Sequence, residues 1–263
     1  MKTTTVLQRS VYPGILLCLA AGTAAYAQVT TINSAMVTSR VWNDIPGASF
    51  SSSGTYPSLI QFSEFGVSAA SGFANRDVWQ FSSDGGASAY QLQNNDYFHA
   101  SFDLKVTGSP ISPRKEAGFL LSTTGVGDIQ LIVNTDGHEV VQFGGISFYS
   151  FSGASLVSYN SGDTINLGMH YFLAGDGNNA LQFYANGNAS PVYEFAPGFG
   201  IGNGSTLGGY FQIVNDSANP FNSGIAAFQN INIVPEPSTL ALLSLGVLPL
   251  GLLLRRHQAK RPL

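Results

Sequence analysis

From Phe98 to Val106 the chain alternates without a break. Phe98, Ala100, Phe102, Leu104 and Val106 share one parity, and His99, Ser101, Asp103 and Lys105 share the other. Successive side chains of a strand point to opposite faces, so this stretch is a strand with one face in a core and one in water. Shorter apolar runs of the same kind recur at Leu59–Phe62, Val78–Phe81, Gly118–Ser122, Ile129–Val133, Val140–Phe143, Leu167–Leu173, Leu181–Ala185, Gly209–Val214 and Ile231–Val234. Turn chemistry separates them: Asp84-Gly85-Gly86, Gly125-Val126-Gly127, Asp136-Gly137, Asp176-Gly177 and Asn186-Gly187. These are the residues that tight turns between strands require. Asp136-Gly137 predicts a hairpin between Ile129–Val133 and Val140–Phe143, and Asp176-Gly177-Asn178-Asn179 predicts a second between Leu167–Leu173 and Leu181–Ala185. No stretch of the domain carries a helical period. Regular short strands with turns between them predict an all-β, two-sheet sandwich of jelly-roll, concanavalin-like type, with the last strand beside Met36–Trp42.

The two ends differ from this body. Lys2 and Arg9 precede an apolar stretch, Val11–Gly22, and Ala25-Tyr26-Ala27 is a small-x-small cleavage site. Residues 1–27 therefore predict a secretory signal peptide cut between Ala27 and Gln28. Cys18, the single cysteine, lies inside it and lacks the small residue that a lipidation box needs upstream, so no thiol or disulfide is expected in the mature domain. At the other end, Leu240–Leu254 is apolar apart from Ser244, Gly246, Pro249 and Gly251, and Arg255, Arg256, Lys260 and Arg261 follow. Counted from Ser238, seventeen residues at a 1.5 Å rise reach roughly 25 Å, near the lower limit for crossing a bilayer. Residues 238–254 therefore predict a transmembrane helix, and residues 255–263 a basic tail held on the cytoplasmic side by Arg255 and Arg256.

Between these ends, residues 28–234 form one expected domain. It has five basic and fourteen acidic residues, a net charge of −9 that the whole-chain value of −4 hides. Such a surface excludes nucleic acid as a partner and disfavours anionic lipid heads.

Pro235-Glu236-Pro237, the apolar run and the terminal arginines, in that order, resemble the PEP-CTERM sorting signal of exported Gram-negative proteins. The resemblance covers residues 235–263. It implies an exosortase, an integral-membrane protease-like enzyme that cuts near Pro235-Glu236-Pro237. Glu236 would be the recognition charge, the two prolines would hold an extended backbone, and the product would belong to the envelope, cell surface or extracellular matrix, anchored transiently or permanently.

Within the domain, Arg114-Lys115-Glu116, His138 and Tyr171-Phe172-Leu173-Ala174-Gly175 resemble the order of an Arg-bearing strand, a His and a Tyr-Phe-x-Ala-Gly block in alginate lyases. In those enzymes Arg neutralises a uronate carboxylate while Tyr and His move protons. The family's Lys is Leu173 here, and its His follows a Gln and a branched residue, whereas His138 sits in an Asp-Gly turn. Read as plain structure, Tyr171 and Leu173 face the core and His138 is a solvated turn residue. A hydrolase needs two carboxylates across one cleft, and Glu64, Glu116, Glu139 and Glu194 stand apart in sequence. Asn134-x-Asp136 and Asp176-x-Asn178 offer oxygen ligands suited to Ca²⁺, but hairpin turns use the same residues. His99, His138 and His170 lack metal-ligand spacing, so neither a metal nor another cofactor is expected. Phe148, Tyr149 and Phe151, in a Gly/Ser-rich stretch, are the best candidates for an exposed aromatic patch that contacts polysaccharide. With no set of residues that carries chemistry, the sequence predicts a non-catalytic surface or matrix protein. A secreted carbohydrate-active enzyme, a glycoside hydrolase or polysaccharide lyase on a jelly-roll, is the alternative.

Overall fold

The computed structural model describes residues 31–154 and 157–236. The described residues fall within one compact unit, Val29–Glu236. The expected signal peptide, the Ala27–Gln28 cut, Pro237, the span at residues 238–254 and the Arg255-Arg256 cluster lie outside the described residues. Among the described residues no helix is long and apolar enough to cross a membrane.

The strands are β1 Ser34–Trp42, β2 Ser49–Ser53, β3 Leu59–Phe65, β4 Ala74–Ser82, β5 Phe98–Ser109, β6 Lys115–Thr123, β7 Gly127–Asn134, β8 Val140–Gly144, β9 Tyr149–Ser150, β10 Thr164–Leu173, β11 Asn179–Ala185, β12 Asn188–Ala189, β13 Tyr193–Glu194, β14 Thr206–Val214 and β15 Ser223–Pro235, with a one-turn helix α1 at Phe151–Ala154. They form two antiparallel sheets. Sheet A runs β1-β4-β14-β6-β7-β8-β9, and sheet B runs β12-β11-β10-β5-β15-β3-β2, with β13 beside β11. The expected two-sheet sandwich is what forms. All nine shorter runs lie on strands, and both hairpins, β7–β8 and β10–β11, are present.

The final strand departs from expectation. β15 lies in sheet B between β5 and β3, while β1 is the edge strand of sheet A. Alternation fixes which face a strand buries but not its neighbour, and β15 has the length to pair along both edges. A bulge between Gln229 and Asn232 places Asn230 in the left-handed region (φ 52°), which Asn tolerates better than most residues.

The core is a layer of apolar residues from the inward parity of both sheets. Trp79 and Phe119 of sheet A meet Phe102 and Phe228 of sheet B, with ring centroids 4.1 Å apart for Phe102–Phe119 and 5.7 Å for Trp79–Phe228. Gly209 has no side chain because one would not fit: a Cβ there would stand 2.5 Å from Trp79 Nε1 and 2.7 Å from Phe228 Cε1.

Toward one end of the sandwich the core turns polar. Glu64 of β3 and Asp77 of β4 are both buried, and so is Asn75. Arg40 fastens this group: its backbone N–H donates to Asp77 Oδ1 (2.9 Å) and its Nε lies 3.6 Å from Glu64 Oε1. The Asn75 side chain accepts from the Ile45 N–H (2.9 Å) and donates to Glu64 Oε2 (3.4 Å). Glu64 Oε1, Asp77 Oδ2 and Arg40 Nε are buried without a hydrogen-bond partner. Burial and the Asp77 charge push the Glu64 carboxyl up to about 8, and burial raises Asp77 as well. A carboxyl raised in the folded state binds a proton that the unfolded chain releases, so stability is full below the ordinary carboxylate range and is lost as pH rises toward 8. We expect the thermal midpoint to fall between pH 5 and pH 8, by about 2–4 °C per kcal/mol for a domain of this size. Glu64→Gln should flatten that slope and raise the midpoint at pH 8. An unchanged slope in melting curves of the variant would assign the pH dependence elsewhere.

Candidate functional site

The outward parity of sheet A carries the polar residues that the core excludes. Strand register places Trp42, Arg76, Gln212, Glu116 and Asn134 in one row across β1, β4, β14, β6 and β7. The next row reads Val78, Tyr210, Gly118, Ile132 and Val141. Here Val78, Tyr210, Ile132 and Val141 make a small apolar cluster of their own, apart from the main core.

The two rows join at Glu116. Its Oε1 accepts from Tyr210 Oη (3.2 Å) and from Gln212 Nε2 (3.0 Å). Gln212 Oε1 in turn accepts from Arg76 Nε at 2.8 Å. The Arg76 guanidinium lies 5.0 Å from the Tyr210 ring centre and 5.2 Å from that of Trp42, a cation held between two aromatic faces. Among the described residues Arg76 has no salt-bridge partner. Trp42 is 43% exposed and its ring is 5.8 Å from that of Phe73, which is 58% exposed. The row thus begins in an aromatic pair open to water and ends in buried proton-bearing groups.

Glu116 Oε2 faces Arg114 at 3.7 Å. Arg114 also binds Glu139 Oε2 at 2.7 Å and lies 3.6 Å from Asp136. Acidic residues that stand apart in sequence are therefore gathered here around one guanidinium. Burial raises the Glu116 carboxyl, and Arg114 and the Tyr210 hydroxyl oppose that shift in part. Burial also holds the Tyr210 hydroxyl well above its ordinary value. At neutral pH the pair is a buried carboxyl group and a neutral phenol sharing a hydrogen bond, an arrangement that can take and return a proton.

Several expected site residues are placed otherwise. Tyr171 does not join Arg114 and His138: it lies in sheet B facing the core, fully buried, with its hydroxyl donating to the Asn94 carbonyl at 2.6 Å. Leu173, read as core-facing, is 50% exposed at the end of β10. His138 is the exposed turn residue expected, with φ 55°. The Tyr-Phe pair that does lie beside the Arg114–Glu116 strand is Tyr210-Phe211. Gln130 and Ile132 lie on β7, which pairs with β6. The proposed aromatic patch is divided: Phe148 is 68% exposed, Tyr149 is half-buried, and Phe151 is in the core at the start of α1, its ring 5.0 Å from Tyr149. The two loops with oxygen ligands are spent on turns. Asn134 Oδ1 accepts from the Gly137 N–H, and Asp176 accepts from the Asn178 backbone and side chain. Among the described residues no three His, Cys, Asp or Glu are grouped to hold a metal.

No family model matches this chain, and no curated protein does. Among solved structures it is similar to an alginate lyase from Corynebacterium sp., with 11% identity and a TM-score of 0.52, covering 80% of this chain and 98% of that one. It also matches a marine family 7 alginate lyase from Zobellia galactanivorans (11% identity, TM-score 0.44, 80% and 99% covered) and a carbohydrate-binding module from Bacillus subtilis (11%, 0.42, 76% and 96%). The likeness to the Corynebacterium lyase runs against the expectation of a non-catalytic matrix module and agrees better with the carbohydrate-active alternative. At such identity the likeness is one of fold, and the chemistry must come from the chain's own residues.

Proposed function

We propose that the domain is a carbohydrate-active enzyme on a jelly-roll-like sandwich, working by elimination on a carboxylated polysaccharide at the outer face of sheet A. One observation carries the reading: a hydrogen-bonded Glu116–Tyr210 pair beneath Arg76, a cation with no salt-bridge partner among the described residues, beside the open Trp42–Phe73 rings. Sugar rings stack on exposed aromatic faces, and a uronate carboxylate would draw Arg76 off the Tyr210 ring. That ion pair would acidify the proton on the carbon bearing the carboxylate. Glu116 would take that proton, the bond to the glycosidic oxygen on the next carbon would break as a carbon–carbon double bond forms, and Tyr210 would give its proton to the departing oxygen. The proton on Glu116 then returns to Tyr210 along their hydrogen bond, which restores both groups. The domain's net negative charge opposes a polyanion, and Arg114 is already engaged by Glu116, Asp136 and Glu139, so Arg76 has to supply the attraction at the site.

The test is release of unsaturated sugar ends, read by their ultraviolet absorbance, from a panel of uronate polysaccharides. Arg76→Ala should raise KM about tenfold, the cost of about 1.4 kcal/mol for one lost charge contact. Absence of unsaturated ends from every uronate polymer, with folded protein at high concentration, would overturn the reading.

The ends of the chain support a second, independent proposal about address: export through the inner membrane, then processing next to Pro235-Glu236-Pro237 by a membrane protease, with the envelope or extracellular polysaccharide as destination. Its support is the order of apolar and basic segments in the sequence.

A further inference from the structure

The outer face of sheet B carries a group of side chains that the proposed chemistry does not use. His99 of β5 and His170 of β10 are register partners on adjacent strands, with ring centres 6.0 Å apart. His170 stacks on Phe172 at 4.4 Å, and His99 meets the edge of Tyr184 of β11 at 6.0 Å. Tyr184 is itself tied to Gln182 by a 2.8 Å hydrogen bond. All are half-buried.

The occupant of this surface is the chain's own Glu236. β15 continues to Pro235, which pairs with Phe98, and the Glu236 N–H still donates to the Tyr97 carbonyl at 3.0 Å. The Glu236 carboxylate turns onto the face and meets His170 Nε2, where its side chain is 34% exposed. The residue expected to be the recognition charge is therefore held by both its main chain and its side chain. A protease that binds an extended segment needs that segment's backbone edge and its identifying side chain. Sheet B already uses both.

We propose that His170, oriented by its stack on Phe172 and flanked by His99 and Tyr184, is a latch for Glu236 that withholds the Pro235-Glu236-Pro237 segment from the protease that reads it. Cutting then requires the end of β15 to peel from β5 and Glu236 to leave His170. The proposal rests on the processing reading above, so the experiment has two arms.

The first arm measures amide hydrogen exchange over the end of β15 in the full-length protein, for wild type, His170→Ala and His170→Phe. The Phe variant keeps an aromatic ring against Phe172 but has no partner for a carboxylate. We expect exchange at Glu236 to quicken about tenfold in both variants, as a lost contact of about 1.4 kcal/mol would give, while β10 and β11 stay protected. The second arm follows, in the native host, conversion of the full-length mass to one ending near Pro237, which should be severalfold faster in both variants. Unchanged exchange at Glu236 overturns the latch. Faster exchange with an unchanged conversion rate overturns its role as a gate. If neither wild type nor variant is ever shortened near Pro237, the processing reading falls and the gate falls with it, whatever exchange reports.

Discussion

Glu116→Gln is expected to lower kcat at least about 100-fold while leaving KM nearly unchanged, because a positioned proton acceptor commonly supplies 10²–10⁴ in rate. Glutamine has the same shape and its oxygen can still accept from Tyr210 and Gln212, but it cannot hold the proton taken from the sugar carbon. Tyr210→Phe removes the other end of the shared hydrogen bond and should cost a similar factor. The double variant should be little worse than either single one, since groups that act as a unit are lost as a unit. Stability separates this role from a structural one. Glu116 is buried and its charged form is disfavoured there, so the neutral glutamine should leave the thermal midpoint unchanged or higher. The pH profile adds a second check: with the acceptor raised by burial, the rising limb of kcat/KM should lie at higher pH than an ordinary carboxylate gives, and the Gln variant should lose that limb. Full activity in Glu116→Gln would remove the carboxyl group from the chemistry.

The fold was legible because its signal is local. Period two at Phe98–Val106 states which side chains enter the core, and Asp136-Gly137 and Asp176-Gly177 state where the chain reverses. Which strands become neighbours is not local, and that is why the last strand was misplaced. Several strands share the same alternation, and only the joint packing of Phe228 with Trp79 and Phe102 selects the slot between β5 and β3. The Glu116–Tyr210 pair was not read from the sequence for a related reason, although parity could have found part of it. Leu167, Met169 and Tyr171 share one apolar parity, which marks Tyr171 as a core residue. Gly208, Tyr210 and Gln212 alternate with Leu207, Phe211 and Ile213, which marks Tyr210 as the tyrosine turned away from the core. No property of the sequence joins Tyr210 to Glu116, ninety-four positions apart; the β14–β6 register does that. The contact of Glu236 with His170 was equally illegible, since His170 lies sixty-six positions away and meets it only through the order β10-β5-β15.

Trp79→Ala should cost about 3–5 kcal/mol, the usual loss for a fully buried large aromatic, and that is much of the 5–15 kcal/mol that holds a typical domain. Trp79 is fully buried and touches the rings of Phe81, Phe102 and Phe228 at 5.2, 6.0 and 5.7 Å, so its removal opens a cavity between the sheets where their aromatic layers meet. No disulfide can offset the loss, since the chain's single cysteine is Cys18. The indole also carries a hidden cost. Its Nε1–H is buried without an acceptor, so Trp79→Phe gives up ring volume but also removes an unsatisfied donor worth about 1–3 kcal/mol. We therefore expect the Phe variant to lose less than half of what the Ala variant loses, and Gly209→Ala, whose methyl would strike the indole and Phe228, to be destabilising by at least about 1 kcal/mol. Urea unfolding with a common m-value orders the three. Equal losses for Phe and Ala at position 79 would mean that the indole N–H is satisfied after all, and that the layer depends on that bond as well as on packing.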